Sequence, residues 1–307
     1  SDGEGNTFTA ADGDNSVDVT DWSHDSLTMQ APDGTADFDL QIQTTSTESS
    51  NGSSDTVSEI VSVDLTTEIE GSAGADDIQG GSGDDTLMYN ADDTWSGYSA
   101  HNVETGENVS IADSNRSSDV FKGGDGHDTI EGTSGDDTLF LDDGFSDFAS
   151  GEQARIQDVE EINMGDGNDI VDMTSSTYTY DQGIKVDGGD GNDTIWTSTG
   201  DDQINGGAGD DSIFGGDGDD TLTFLAHQGN DIVDGGEGGL WTDTLELGGF
   251  DGQGSQEGWT LSLDDGSSIA STDELNSEIV FSGDAGGTIT FDDGGSVDFE
   301  NIEKIVW

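Results

Sequence analysis

The chain contains no cysteine in 307 residues. That excludes disulfide staples, thiolate metal sites and a cysteine nucleophile. Basic residues number five (Arg116, Lys122, Arg155, Lys185 and Lys304) against 70 aspartates and glutamates, for a net charge of -65. Nucleic acid and anionic lipid surfaces repel such a chain, so neither is expected as a partner. Its natural partners are cations. No run of 18 apolar residues occurs, and no membrane span is expected. No charged-then-apolar leader opens the sequence, so any export signal is expected elsewhere. Neither an HExxH zinc motif nor a GxSxG nucleophile motif is present, and the histidines, His24, His101, His127 and His227, are scattered. No catalytic residue is assigned, and the expectation is a chain that is not an enzyme.

What the chain has instead is glycine and aspartate in a fixed order. Four nonapeptides run head to tail: Gly188–Trp196, Thr197–Asn205, Gly206–Phe214 and Gly215–Thr223. They share the form G-G-x-G-x-D-x-U-x, where U is a large aliphatic residue. Glycine permits a tight turn with exposed carbonyls, and aspartate supplies the hard anionic oxygen that Ca²⁺ selects. Six residues make a loop and three make a short strand. Two nonads then complete one turn of a flattened spiral, and loops 18 residues apart stack at the strand spacing of about 4.8 Å. One loop offers too few oxygens for a calcium ion, but two stacked loops suffice. Asp193 is therefore expected to face Asp211, and Asp202 to face Asp220, across shared ions. The core reduces to a thin file of Ile195, Ile204, Ile213 and Leu222. With so small a core and so high a charge, the metal-free chain is expected to be disordered.

The same pattern recurs with interruptions at Gly71–Gln79, Gly80–Met88, Gly123–Glu131, Gly132–Phe140, Met164–Asp172 and Ala226–Asp234, followed by a broken Gly235–Gly238 whose aspartate arrives late as Asp243. Three excursions, 89–122, 141–163 and 173–187, separate them. Ser150–Ile162, with Ala154, Ile156, Val159 and Ile162, is the one stretch read as a short helix. Arg116 and Arg155 are expected to anchor excursions to the acidic roll. Residues 1–66 lack the nonad and read as strands at Ser26–Gln30, Ala36–Thr45 and Thr56–Leu65, a β-sandwich-like or partial Ig-like segment. Asp12, Asp14, Ser16 and Asp18 have the odd-position spacing of an EF-hand loop. Val17 and Ser23 stand where that loop needs Gly and Glu, which weighs against a site. Residues 244–307 alternate like strands, with Asp265-Gly266 and Asp293-Gly294 at hairpin turns. They read as an antiparallel β cap on the open end of the roll.

On these nonads the chain resembles the RTX (repeats-in-toxin) family of type I secreted proteins, whose repeats form a parallel β-roll. The resemblance covers about 71–243. It implies an all-β fold: an interrupted calcium-binding β-roll over 67–243 between the N-terminal segment and the cap. It implies multiple Ca²⁺ ions on Asp76, Asp85, Asp128, Asp137, Asp169, Asp193, Asp202, Asp211, Asp220, Asp231 and Asp243. Thr197, Ser198, Met164 and Ala226 depart from the glycine pattern of their loops, where carbonyls still serve. The combination of segments is similar to the C-terminal region of large bacterial RTX adhesins, which implies an extracellular or cell-surface location and a glycan or peptide ligand on a monomeric chain. The alternative class is the non-catalytic C-terminal RTX module of a secreted hydrolase or polysaccharide-modifying enzyme. An ice-binding roll needs a flat outward threonine array, and only Thr221 and Thr223 form a clean pair. Trp196 and Phe214, 18 residues apart, are expected to stack on one outer face, covered by an excursion or the cap. Trp95 and Tyr98 are the alternative exposed ligand candidates.

Overall fold

A strand of three residues cannot persist alone; it needs a parallel neighbour on each side. The computed structural model describes residues 38–47, 54–63, 68–141 and 154–307, except 73, 92, 95–98, 112, 226–228, 237–240, 249–257, 265–267, 271–277 and 293. The x-U-x triplets form two parallel ladders. Thr194–Trp196, Ser212–Phe214 and Asn230–Asp234 pair with Ile195, Ile213 and Val233 in register. Gln203–Ala208, Thr221–Leu225 and Thr244–Gly248 pair with Ile204, Leu222 and Leu245 in register. The aliphatic residue of each triplet points inward because alternate strand positions face opposite sides. Ile195, Ile204, Ile213 and Leu222 are accordingly no more than 2 % exposed. The described chain is all-β, a parallel β-roll.

The turn length is not constant. Backbone-to-carboxylate bonds that join successive layers skip 43 residues from Asp85 to Asp128, 32 from Asp137 to Asp169, 24 from Asp169 to Asp193, and 18 from Asp193 to Asp211. The extra residues in the long turns build a third parallel ladder of Asp77–Gln79, Val120–Lys122 and Ile156–Gln157. Parts of the excursions are therefore roll. The expected helix over 150–162 does not form in the described residues 154–162; Ile156–Gln157 and Glu161–Asn163 are strands. Ile156, Val159 and Ile162 are all buried, but Ile156 and Ile162 lie on two different strands and Val159 in the link between them, which turns at Asp158, whose φ is +50°. Arg155 is fully buried there, and its guanidinium donates to the carbonyls of Ser117 and Asp119 at 2.9–3.0 Å. It does hold an excursion, through backbone oxygens.

The last layer is closed by Ser296–Val306, which pairs in parallel with both Asn230–Asp234 and Thr244–Gly248. Glu278–Phe291 returns antiparallel to it, and Trp259–Leu263 pairs antiparallel beyond. Trp259 and Trp307 meet edge to face with centroids 5.0 Å apart, so the final apolar layer is covered. At the other end of the sequence, Phe38–Thr47 and Ser54–Val63 form an antiparallel pair. The Asp12–Asp18 stretch and Ser26–Gln30 lie outside the described residues, as do Trp95 and Tyr98.

On the outside of the roll, Trp196 and Phe214 are in register as expected. The hairpin Ser99–His101 with Asn108–Ser110 lies over them. Ala100, Ile111, Phe140, Ile170, Trp196 and Phe214 make a second apolar cluster beneath it.

Glycine in the loops is a packing requirement as much as a conformational one. Gly191 has φ +141°, and a Cβ there would overlap the carbonyl oxygen of Gly167 in the layer before. Gly106, in the hairpin turn, has φ +79° with nothing near an added Cβ. In calcium-saturated protein, Gly106→Ala is expected to cost about 1–2 kcal/mol, the left-handed penalty alone. Gly191→Ala must also separate two loops and is expected to exceed about 4 kcal/mol. Thermal denaturation compares them; equal losses would contradict the loop packing.

Candidate metal centre

The position-six aspartates stack in two columns. In one, the Asp137 N–H donates to Asp169 Oδ1, Asp169 to Asp193, Asp193 to Asp211 and Asp211 to Asp231, at 2.7–3.1 Å. In the other, Asp85 donates to Asp128, Asp202 to Asp220 and Asp220 to Asp243, at 2.8–3.0 Å. One carboxylate oxygen is thus fixed by the backbone of the neighbouring layer, and the other is left over. The Oδ2 atoms of Asp128, Asp169, Asp193, Asp202, Asp211 and Asp220 are buried without a hydrogen-bond partner. A buried unpaired carboxylate oxygen is costly, and three in each column mark a feature that needs a ligand.

Glycine makes room for that ligand. An added Cβ at position one would press on the Oδ2 of its own loop: Gly188 on Asp193, Gly206 on Asp211, Gly215 on Asp220. An added Cβ at position two or four would meet a carbonyl of the loop before it: Gly207 meets Gly189, and Gly209 meets Gly191. Carbonyls and unpaired carboxylate oxygens therefore share the glycine-lined space between stacked loops. Among the described residues no group of three or more acidic or histidine side chains converges on one point. That suits a hard cation taking most of its six to eight oxygens from backbone carbonyls. The donor set is all oxygen, buried carboxylates with backbone carbonyls, and it fits Ca²⁺, which would supply positive charge between the stacked loops.

Electrostatics points the same way. Burial pushes the Asp169 and Asp220 carboxyls up to about 8. It pushes Asp202, Asp211 and Asp243 to about 7, and Asp128, Asp193 and Asp231 to about 6. Backbone N–H bonds oppose the rise, and nearby carboxylates mostly add to it. Without metal, the folded state therefore binds these protons more tightly than the unfolded chain, whose aspartates titrate near 3.9. Their contribution to folding is full below about pH 4 and is lost as pH rises through 6 to 8. Metal-stripped protein is expected to show more β signal by circular dichroism at pH 5 than at pH 8. A signal that grows with pH would contradict this.

The family model of the RTX calcium-binding nonapeptide repeat matches the chain in four copies, at residues 67–94, 113–146, 187–222 and 223–239. The roll is an RTX repeat array. RTX nonapeptide repeats bind Ca²⁺ at multiple sites, and this array is a calcium-binding segment of the kind found in secreted bacterial proteins. A search of curated proteins gives no match.

The structure places ten of the eleven sequence-selected aspartates of this RTX array in the two columns. The remaining one, Asp76, heads a short third column, donating to Asp119 Oδ1 at 2.8 Å. Asp169 and Asp243 lie outside the stretches matched by the family model, yet both stand in column. In Asp76, Asp85 and Asp137 the Oδ2 accepts an N–H of its own loop, from Ser72, Gly81 and Thr133, at 2.6 Å each. Three further acids occupy equivalent places: Asp119, Glu160, which accepts from Asp128 N–H at 2.8 Å, and Glu303, which accepts from Asp243 N–H at 2.8 Å. No glycine loop precedes these acids. Their signal is an acid two residues before a core apolar residue: Asp119 before Phe121, Glu160 before Ile162, Glu303 before Ile305. Ile184 interrupts one column, where its N–H donates to Asp202 Oδ1 at 2.8 Å. Position five also forms an exposed chain: Asn168, Asn192, Asp210 and Asn230 each cap the next loop's N–H or take its bond in turn.

Proposed function

We propose that this chain is an extracellular segment of a secreted bacterial adhesin that folds and stiffens on binding Ca²⁺ outside the cell. The observation that carries this reading is the set of six buried carboxylate oxygens without partners, three in each column. A fold that leaves them bare at neutral pH is complete only with cations. Where free Ca²⁺ is scarce, as in the cytosol, the carboxylates repel and the chain stays open for export. Where it is millimolar, mass action favours the folded state. Asp76, Asp85, Asp128, Asp137, Asp169, Asp193, Asp202, Asp211, Asp220, Asp231 and Asp243 are the proposed ligands, shared between stacked loops. Residues 67–243 are the calcium roll, 1–66 a β-sandwich-like segment and 244–307 the cap. The net charge of -65 keeps copies apart, so the chain acts as a monomer. The role is structural and adhesive, without catalysis.

A panel of polysaccharides and an immobilised glycan and peptide array separate this from an RTX module serving a secreted hydrolase. Calcium-loaded chain is expected to be retained on part of the array without releasing product. Release of reducing ends or oligosaccharides by the chain itself would contradict the adhesin reading.

A further inference from the structure

The covering hairpin does not reach the whole outer face of the roll. Beyond its tip, Thr105–Glu107, lies a cleft of about 400 Å³. Its floor includes Trp196, Phe214 and Ile232. Trp196 and Phe214 are covered, at 0 % and 7 % exposure, while Ile232 stands 63 % exposed. Asp234, Asp298, Glu300 and Glu107 surround this floor. Strand register builds the arrangement. Ile232 lies beside Asp298 and Asp234 beside Glu300, while Val297 and Phe299, which alternate with the two acids on the same strand, face the core. The indole N–H of Trp196, buried and without a partner, belongs to the same lining.

An aliphatic surface rimmed by carboxylates is complementary to a side chain with an apolar stem and a cationic head. Four of the chain's five basic side chains are committed elsewhere. Lys122, Lys185 and Lys304 pair with Asp77, Glu161 and Glu278, none of which lines the cleft, and Arg155 is buried. A second copy, also at -65, would be repelled. A sugar stacked on an aromatic face is not favoured, because both aromatic rings are covered and the exposed apolar group is isoleucine. We infer that this cleft is a recognition site for an arginine or lysine side chain of a partner polypeptide, its stem on Ile232 and its head among Asp298, Glu300 and Glu107. The inference names a partner for the adhesive reading above and so rests on it, but calcium-driven folding does not depend on the cleft.

The test is a titration of calcium-saturated protein at physiological salt with N-acetyl-arginine amide and with its uncharged isostere N-acetyl-citrulline amide. The Ile232 methyl resonance reports binding. The arginine probe is expected to shift it saturably, and the citrulline probe to bind at least about tenfold more weakly, or 1.4 kcal/mol. The double variant Asp298→Asn/Glu300→Gln is expected to lose a similar factor. The control Glu68→Gln/Glu70→Gln removes two exposed acids with the same spacing on a distant strand and should bind as the parent does. Equal weakening in both double variants would mean that diffuse charge alone attracts the probe, and would overturn the site. So would the absence of any Ile232 shift. Calcium-dependent circular dichroism, unchanged in all variants, separates either failure from failure of the folding proposal.

Discussion

Chelation of calcium at pH 7.5 is expected to abolish the cooperative unfolding transition of this chain. The magnitude follows from mass action. A site whose ion is present at 100 times its Kd stabilises the fold by about 2.7 kcal/mol. Two or three such sites already match the whole stability of an ordinary domain, about 5–15 kcal/mol. Between the ladders of the regular turns the roll's core is one aliphatic residue per nonad, such as Ile195, Ile204, Ile213 and Leu222, and its eight proton-hungry aspartates are ionised at that pH in an unfolded chain. Circular dichroism in EGTA is expected to report a mostly disordered chain, and millimolar Ca²⁺ to restore the β signal. Magnesium should substitute poorly, since it holds its waters and demands a smaller octahedral cage. An equally cooperative thermal transition without any divalent ion would contradict the dependence.

The second large effect separates neighbours in sequence. Asp211 Oδ1 accepts the Asp193 N–H at 2.9 Å, and its Oδ2 is buried without a partner. Asp210 is exposed, and its Oδ1 accepts from Asn230 N and Nδ2 at 2.8 and 3.1 Å. Asp210→Ala is expected to cost about 1 kcal/mol, the value of ordinary hydrogen bonds near water. Asp211→Ala leaves the Asp193 N–H buried and unpaired, about 1–3 kcal/mol. It also removes a charged oxygen from the space between layers, which weakens calcium binding there by a further amount of about 3 kcal/mol if one site is emptied. Asp211→Asn keeps an acceptor for the Asp193 N–H but not the charge, and should lose the ion while sparing the backbone bond. Calorimetric titration is expected to count fewer ions in Asp211→Ala and Asp211→Asn and an unchanged number in Asp210→Ala. Equal losses at 210 and 211 would mean that charge density, not loop stereochemistry, governs binding.

The local unit was legible in the sequence because its rules are local. A nine-residue period places Gly where φ is positive, Asp where a loop ends and an aliphatic residue where a strand faces inward. Ile195, Ile204, Ile213 and Leu222 could be assigned to the core without a structure, and Trp196 and Phe214 to one outer row. What was not legible is non-local. The third ladder depends on Val120–Lys122 finding Asp77–Gln79 across 43 residues, and no spacing rule encodes that. The apolar pattern of 154–162 misled because its intervals of two to three residues fit a helical face as well as two short strands, and the layer above and below decided between them. Asp119, Glu160 and Glu303 were missed because the motif is keyed to glycine. A column end or a long turn keeps the acid and the core residue but dispenses with the tight loop. The cleft beyond the hairpin was invisible for a further reason: it is assembled from the tip of one insertion and strands of the last layers, far apart in the chain.

The most direct test of the calcium columns is an anomalous difference map from crystals grown in Ca²⁺. Peaks are expected between stacked loops, each within coordination distance of position-six oxygens from adjacent layers, such as Asp193 with Asp211 and Asp202 with Asp220, and of the glycine carbonyls around them. Peaks confined to exposed carboxylates such as Asp210 and Asp219, with the spaces between loops empty, would contradict it.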